Sequence, residues 1–72
     1  MKRPDERLAK LMQDRGWTQQ DVADMLGVTR QSIGLYLQGK RKITTLFAYA
    51  LAYKANINPE WLMTGTGKTE GH

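Results

Sequence analysis

The residues of this sequence best suited to specific chemistry are three consecutive polar ones, Arg30, Gln31 and Ser32. They offer a guanidinium, an amide and a hydroxyl, which are hydrogen-bonding groups and not a nucleophile paired with a base. They follow Thr29, whose hydroxyl can cap a helix, so we expect them on the first turn of a helix. This arrangement predicts recognition of polar groups on another molecule.

Three patterns that could indicate an enzyme each lack a necessary residue. The segment from Gly65 to Thr69 ends like a phosphate-binding loop, but Leu62 stands where that motif requires its first glycine. Asp21 and Asp24 are spaced for one edge of a helix, but the only histidine is His72. The serine and threonine hydroxyls lack a histidine base for the same reason. We therefore predict no enzymatic activity, no metal and no cofactor.

The composition indicates one small domain. The sequence has 72 residues and no cysteine, which excludes disulfides and a thiolate zinc site. It contains no apolar run approaching the roughly 20 residues that cross a bilayer, and no secretory signal pattern. We expect a cytoplasmic protein without a membrane partner or a small-molecule ligand.

Charge is distributed unevenly along the chain, whose formal net charge is +4. All 7 acidic residues lie outside residues 25–59. The basic residues inside that segment are Arg30, Lys40, Arg41, Lys42 and Lys54. A stretch of one sign suggests a polyanionic partner, although charge alone is explained equally well by a basic solvated surface.

Apolar spacing and capping residues predict an all-α fold of five helices. The predicted helices span, approximately, residues 4–15, 18–27, 30–38, 44–55 and 58–63. Thr44 or Thr45 is expected to cap the fourth helix. No segment shows the alternation of a strand. The small, polar and glycine-rich residues 65–72 are predicted to be a disordered tail after a single domain, residues 1–64.

The second and third predicted helices have the arrangement of a helix-turn-helix. Gly27 permits the sharp bend between them. The apolar residues expected to face one interior are Val22, Leu26, Val28 and Ile33. In this motif the second of the two helices lies in the major groove of DNA, with its first turn at the base edges.

The aromatic residues present a different possible surface, because single-stranded nucleic acids stack on such side chains. Trp17, Phe47 and Trp61 occupy core-type positions on three elements, which favours packing. Tyr49 and Tyr53, four residues apart on the fourth helix, are the best candidates for an exposed pair. Core or dimer contacts are the favoured interpretation of these two tyrosines.

A resemblance to a known family lies in residues 18–44, TQQDVADMLGVTRQSIGLYLQGKRKIT, and in the ending at residues 58–67, NPEWLMTGTG. These stretches resemble the DNA-binding domain of lambdoid phage repressor and Cro proteins, and more broadly the Cro/C1-type helix-turn-helix family. The resemblance covers about residues 5–65. A Cro protein is the favoured member of the family, although an isolated repressor N-terminal domain would have the same features. It implies a compact five-helix, lambda-repressor-like domain that binds double-stranded DNA in a bacterial cytoplasm.

The resemblance also implies roles for individual residues. Base readout is implied for Arg30, Gln31, Ser32 and Leu35. Phosphate contacts are implied for Gln19, Gln38, Lys40, Arg41 and Lys42. Several family members have glutamine where this chain has Arg30, and arginine favours the O6 and N7 atoms of guanine. Gly34 is expected to let the helix backbone approach the DNA.

Together these features predict a transcriptional repressor that binds as a homodimer to a palindromic operator through residues 30–38, with half-sites about 34–36 Å apart. The predicted dimer surface consists of apolar residues surplus to the core: Tyr49, Tyr53, Ile57, Trp61, Leu62 and Met63. An antitoxin-type or other protein-binding regulator with this fold remains an alternative, which a stable heteromeric partner would indicate. An RNA-binding protein is a further alternative, which competition by single strands would indicate.

Overall fold

Five α-helices make up the regular structure of the computed structural model, which describes residues 3–71. The helices are α1 Pro4–Arg15, α2 Gln19–Leu26, α3 Arg30–Leu37, α4 Thr45–Ala55 and α5 Pro59–Thr64. The predicted all-α class is confirmed, and within residues 3–71 the only β-type pairing is one isolated bridge between Ile57 and Glu70. Residues 1, 2 and 72, which the predicted domain and tail include, lie outside the described residues.

Side-chain caps fix where the helices begin. At α2, the Asp21 amide donates to Thr18 Oγ1 over 3.0 Å, and the Thr18 amide donates to Asp21 Oδ2 over 2.9 Å. Thr29 caps α3 and Thr44 caps α4, each by accepting a backbone amide on its hydroxyl. These bonds provide partners for amides that a helix leaves open at its start.

Residues in the left-handed conformation set where four of the five helices end, namely α1, α2, α4 and α5. Gly27 ends α2 with φ at 69°, as its position in the sequence predicts. Asn56 ends α4 where the sequence predicts the end of this helix, with φ at 56°, a left-handed conformation that was not predicted. Asparagine tolerates this conformation better than most residues with a side chain.

The core lies where the five helices meet. α2 packs against α3 and α4, α1 packs against α3 and α5, and α4 packs against α5. The largest completely buried side chains are Leu8, Leu11, Val22, Ile33, Leu51, Ile57 and Leu62. Val28 was expected in this interior, but it is 42% exposed because it follows the chain reversal at Gly27, beyond the end of α2. That expectation is wrong.

A buried arginine joins the first helix to the last. Arg7 is 4% exposed; its Nε donates to the Leu62 carbonyl and its Nη2 to the Met63 carbonyl, both over 2.7 Å. These carbonyls lie in the last turn of α5, a helix of 6 residues that is far too short to be stable alone. The guanidinium provides donors for acceptors that the helix end leaves open, and its charge complements the negative end of the helix dipole.

The end of the chain folds back on the turn between α4 and α5. The Asn58 amide donates to the Thr69 carbonyl over 2.7 Å, and the Gly71 amide donates to the Asn56 carbonyl over 2.8 Å. These contacts differ from the disordered tail that the sequence predicts for residues 65–72. The domain boundary at the start of that segment stays a prediction.

Replacing Arg7 with alanine is expected to lower the free energy of unfolding by about 2–4 kcal/mol, because α5 carbonyls lose charged donors inside the protein. Denaturant unfolding followed by circular dichroism measures this loss. Lys10→Ala is the matched control on the same helix. The Lys10 ammonium forms an exposed pair with Asp14 at 3.0 Å, and such a pair contributes up to about 1 kcal/mol. Equal losses in the two variants would contradict a structural role for Arg7.

Amide hydrogen exchange tests the placement of the chain end. We expect the Asn58 and Gly71 amides to exchange more slowly than the Lys68 amide, because both donate to backbone carbonyls in the structure. No hydrogen bond from the Lys68 amide is found among the described residues. Exchange rates measured by NMR would distinguish a chain end that folds back from a free one. Fast exchange at both Asn58 and Gly71 would support the free tail predicted from the sequence.

Candidate nucleic-acid interface

One side of α3 attaches this helix to the domain. Among its 8 described residues Ile33 alone is buried, while Tyr36 and Leu37 pack partly against the same core. An isolated helix needs about 12–15 residues to be stable in water, so this packing is what holds α3 in place. The opposite side of the helix is therefore open to another molecule.

A shallow groove runs along the open side of α3. Its lining residues are Gln19, Thr29, Arg30, Gln31, Gly34, Leu35 and Gln38. Those from α3 follow the helical repeat, which puts them on one face. Five of the predicted DNA-contact residues are thus brought together on one surface: Gln19, Arg30, Gln31, Leu35 and Gln38.

Gln19, the first residue of α2, lies across the middle of α3. Its Oε1 atom is 3.4 Å from the place that a Cβ atom would occupy on Gly34. A glycine inside a helix costs about 1 kcal/mol relative to alanine. Gly34 was expected to let the helix backbone approach the DNA. In the structure, the side chain of Gln19 lies in the space beside Gly34.

Ser32 lies outside the groove, with Arg41. The Ser32 hydroxyl is 3.0 Å from Thr29 Oγ1 and accepts a hydrogen bond from Arg41 Nη1 over 3.3 Å. The Arg41 guanidinium is also 5.7 Å from the centre of the Tyr36 ring. Ser32, predicted to contact bases, is therefore engaged in holding a basic side chain against α3.

The basic loop after α3 folds back on the end of that helix. The amides of Lys40 and Arg41 both donate to the Leu35 carbonyl, over 3.0 Å and 3.2 Å. Lys40 and Lys42 are exposed. Lys42 and Arg41 line a second depression that Arg3 also borders. The loop thus carries positive charge from the end of α3 towards the start of α1.

A carboxylate from outside the basic segment also approaches this loop. Asp5 Oδ2 is 3.3 Å from the place of a Cβ atom on Gly39 and 3.3 Å from Arg3 Nη2. Residues 25–59, which contain basic but no acidic residues, therefore have the Asp5 carboxylate close to them in the folded protein. Spacing along the chain could not indicate this, because Asp5 and Gly39 are far apart in the sequence.

The predicted dimer surface is divided by the structure. Ile57 and Leu62 are completely buried in the core of their own chain, which removes both from any surface. Both were predicted to be surplus to the core and to lie in the dimer surface, and their burial corrects that prediction. Trp61 and Met63 are half-buried and pack against the same core. The two tyrosines of the predicted set are exposed on α4.

The described residues do not form the other kinds of site that the sequence brings to mind. No group of three or more His, Cys, Asp or Glu within residues 3–71 could hold a metal ion. Across the same part of the chain, no helix has both the length and the apolar character needed to cross a membrane. The segment from Gly65 to Thr69 follows α5, whereas a phosphate-binding loop follows a strand.

Comparison with known proteins places this geometry in a family. Residues 8–62 match the helix-turn-helix family HTH_3. Over 61 residues the chain is 36% identical to the SPbeta prophage-derived uncharacterized HTH-type transcriptional regulator YonR of Bacillus subtilis strain 168. This alignment covers 85% of this chain and 56% of YonR. Over 68 residues it is 34% identical to the HTH-type transcriptional regulator for conjugative element R391 of Providencia rettgeri, and equally to that for element SXT of Vibrio cholerae.

The last two alignments cover 94% of this chain and 31% of each relative. The chain thus spans about a third to a half of the length of the relatives it matches. No solved structure gave a significant match. The family match begins within α1, ends within α5 and contains the whole of α2 and α3. The chain belongs to the Cro/C1-type helix-turn-helix family.

Proposed function

We propose that this protein is a transcriptional repressor of the Cro type, which binds double-stranded DNA as a dimer on a palindromic operator. The observation that carries the proposal is the groove along α3, where polar side chains stand together on the face turned away from the core. The relatives' names, each an HTH-type transcriptional regulator, support the same class of function. Repression would follow from occupation of a promoter.

In this proposal α3 enters the major groove and its outer face contacts the bases. Arg30 is exposed and has no hydrogen bond or ion pair among residues 3–71, so its guanidinium is free to bind guanine O6 and N7. Gln31 offers an amide, which suits the N6 and N7 atoms of adenine. Leu35, at the next turn of the same face, offers apolar contact to a thymine methyl group.

The phosphate contacts are proposed on either side of these residues. Gln19 and Gln38 border the groove, and Lys40 and Lys42 extend the surface past the end of α3. We also assign a phosphate to Arg41, which Ser32 holds beside α3. Such contacts fix the orientation of a protein on the duplex without selecting a sequence.

A two-fold dimer fits the size of the protomer. The domain measures 29 × 22 × 22 Å, so two copies side by side extend over about 44–58 Å, and two recognition helices within that span can lie roughly 34 Å apart, the spacing of half-sites separated by one helical turn. An antitoxin-type or other protein-binding regulator is the second candidate. The exposed apolar residues on α4, Leu46, Tyr49 and Tyr53, favour it, because they could also bind a different protein.

Substituting Arg30 with alanine should weaken binding to a selected palindrome by about 1–3 kcal/mol, because one base contact is lost from each half-site. Binding to random duplex DNA should weaken much less. A salt titration of both duplexes by fluorescence anisotropy measures the two effects. Lys68→Ala is the control, since it removes one positive charge at an exposed position outside the groove.

Three results would count against this assignment or against the proposed function as a whole. A uniform loss on both duplexes would make Arg30 a phosphate contact. The absence of any salt-dependent duplex binding by the wild-type protein would contradict the proposed function and favour a protein partner. Preferential competition by single-stranded RNA would favour the RNA-binding alternative.

Replacing Gly34 with alanine should separate stability from DNA binding. The free energy of unfolding should rise by about 0.5–1 kcal/mol, because alanine is the better helix former. Operator affinity should fall, since the new methyl group would stand 3.4 Å from Gln19 Oε1 on the groove face and restrict that side chain. Gln19→Ala is the matched variant, expected to lower affinity without raising stability. Unchanged affinity in both variants would remove Gln19 from the interface.

A further inference from the structure

A second depression adjoins the groove of α3 where that helix ends. Gln38, which borders the groove, is followed in the chain by Gly39, which borders the depression. The proposed function gives no role to Arg3, which lies one residue before α1 and also borders the depression. Within residues 3–71 the charged lining consists of three basic residues and one acidic residue: Arg3, Arg41, Lys42 and Asp5.

The Arg3 side chain is held in place by a carboxylate. Arg3 Nη2 is 3.3 Å from Asp5 Oδ2, and Arg3 Nε is 3.6 Å from Glu6 Oε1. The Asp5 side chain is 12% exposed, and its Oδ2 atom is 3.3 Å from the Cβ position of Gly39. The Arg3 side chain, by contrast, is 68% exposed. The carboxylate therefore lies against the loop, while the guanidinium that it holds is open to solvent.

Arg3 keeps hydrogen-bond donors for a further acceptor. A guanidinium has five N–H groups. Among residues 3–71 the two ion pairs of Arg3 use its Nε and Nη2 atoms, which leaves Nη1 without a partner in that part of the chain. A planar guanidinium binds phosphate through parallel hydrogen bonds, which makes arginine well suited to a phosphodiester. Arg3 can therefore bind a phosphate while Asp5 continues to hold it.

In the proposed complex the backbone of the duplex continues past the end of α3. Each strand of B-DNA carries a phosphate about every 3.4 Å along the helix axis, so further phosphates meet the surface that adjoins the groove. Arg3 and Lys42 both border the depression there. We propose that Arg3 is a further phosphate-binding residue and that Asp5 is the positioning residue that holds its guanidinium beside the loop. This role of Arg3 rests on the duplex binding proposed above.

Asp5 has two opposing effects on a bound duplex. Its negative charge repels the phosphates, so removal of such a carboxylate from a DNA-binding surface ordinarily raises affinity. Its contact with Arg3 favours binding, because a side chain that is already placed loses less conformational freedom when it meets its partner. If Asp5 positions Arg3, removal of the carboxylate lowers affinity although the protein becomes more positive. The sign of the change therefore distinguishes a positioning residue from an ordinary surface carboxylate.

Salt titrations on a random duplex and on a half-site duplex test the phosphate contact. Arg3→Ala should lower affinity for both by about fivefold to tenfold at about 0.1 M salt, and should reduce the slope of log K against log salt by about 0.9. Arg3→Lys keeps the charge and should keep the slope, but should bind more weakly than the wild type. Lys10→Ala is the matched control, since it removes one exposed charge from α1 outside the depression and should leave the slope unchanged.

A double-mutant cycle tests the role of Asp5. In the wild-type background Asp5→Ala should weaken binding to the random duplex by about threefold, a part of what Arg3→Ala loses. In the Arg3→Ala background the same substitution should strengthen binding, because only the repulsion by the carboxylate is removed. Asp14→Ala, which removes an exposed carboxylate near the other end of α1, should weaken binding in neither background. Thermal unfolding of each variant checks that it is folded at the temperature of the titrations.

Two results would overturn this inference and leave the proposed function intact. One is an unchanged salt slope in Arg3→Ala when Arg30→Ala still loses base discrimination. The other is an Asp5→Ala variant that binds as tightly as the wild type or more tightly. A wild-type protein without salt-dependent duplex binding would overturn the inference and the proposed function together. A reduced slope in Arg3→Ala without any effect of Arg30→Ala would support the phosphate contact and contradict base readout by Arg30.

Discussion

The position of α3 depends on the burial of Ile33. This side chain is completely buried where α3 meets α1 and α2, whereas the remaining residues of α3 are partly or fully exposed. A helix of 8 residues has too few internal hydrogen bonds to persist alone. The Thr29 cap and the loop amides bound to Leu35 then complete its two ends. The burial of Ile33, the partial packing of Tyr36 and Leu37, the side-chain cap at one end and the loop amides at the other thus hold α3 in place.

A second contact stabilises the packing of α5, the other short helix that lies against α1. α5 is even shorter, and the guanidinium of Arg7 binds its last turn to α1. Leu62 and Ile57 complete the core at this end. Because α1 packs against both α3 and α5, the arginine supports the same core that anchors Ile33. A buried charge and a buried hydrocarbon side chain therefore both hold short helices against α1.

Helix positions could be predicted from the sequence because their signals are local. The Thr18–Asp21 capping box, the Thr29 cap and Gly27 act within a few residues, and the structure has each of them where it was expected. The groove residues were also found, by resemblance and helical spacing. Ser32 was assigned to the same surface although helical spacing places it about 200° around the helix from Arg30. Its hydrogen bond with Arg41 could not be predicted, because Arg41 returns from the following loop.

Contacts between distant segments were beyond such reasoning. The burial of Arg7 depends on the end of α5, and the approach of Asp5 to Gly39 depends on how α1 meets the loop. α4 is apolar all round, so periodicity could not indicate which side enters the core. For that reason the exposure of Leu46 went unrecognised. Ile57 and Leu62 follow α4 in the chain and were assigned to a surface because their burial depends on how the turn and α5 meet the core.

The separation of faces on α3 has a consequence for how such proteins diverge. Arg30, Gln31 and Leu35 take no part in the hydrophobic core, whereas Ile33, Tyr36 and Leu37 belong to it or pack on it. Exchanging the first three changes the chemistry offered in the groove at little cost in folding free energy. Under the proposed function, a lineage built on this domain could therefore acquire new target preferences by single substitutions, with no compensating change in its interior.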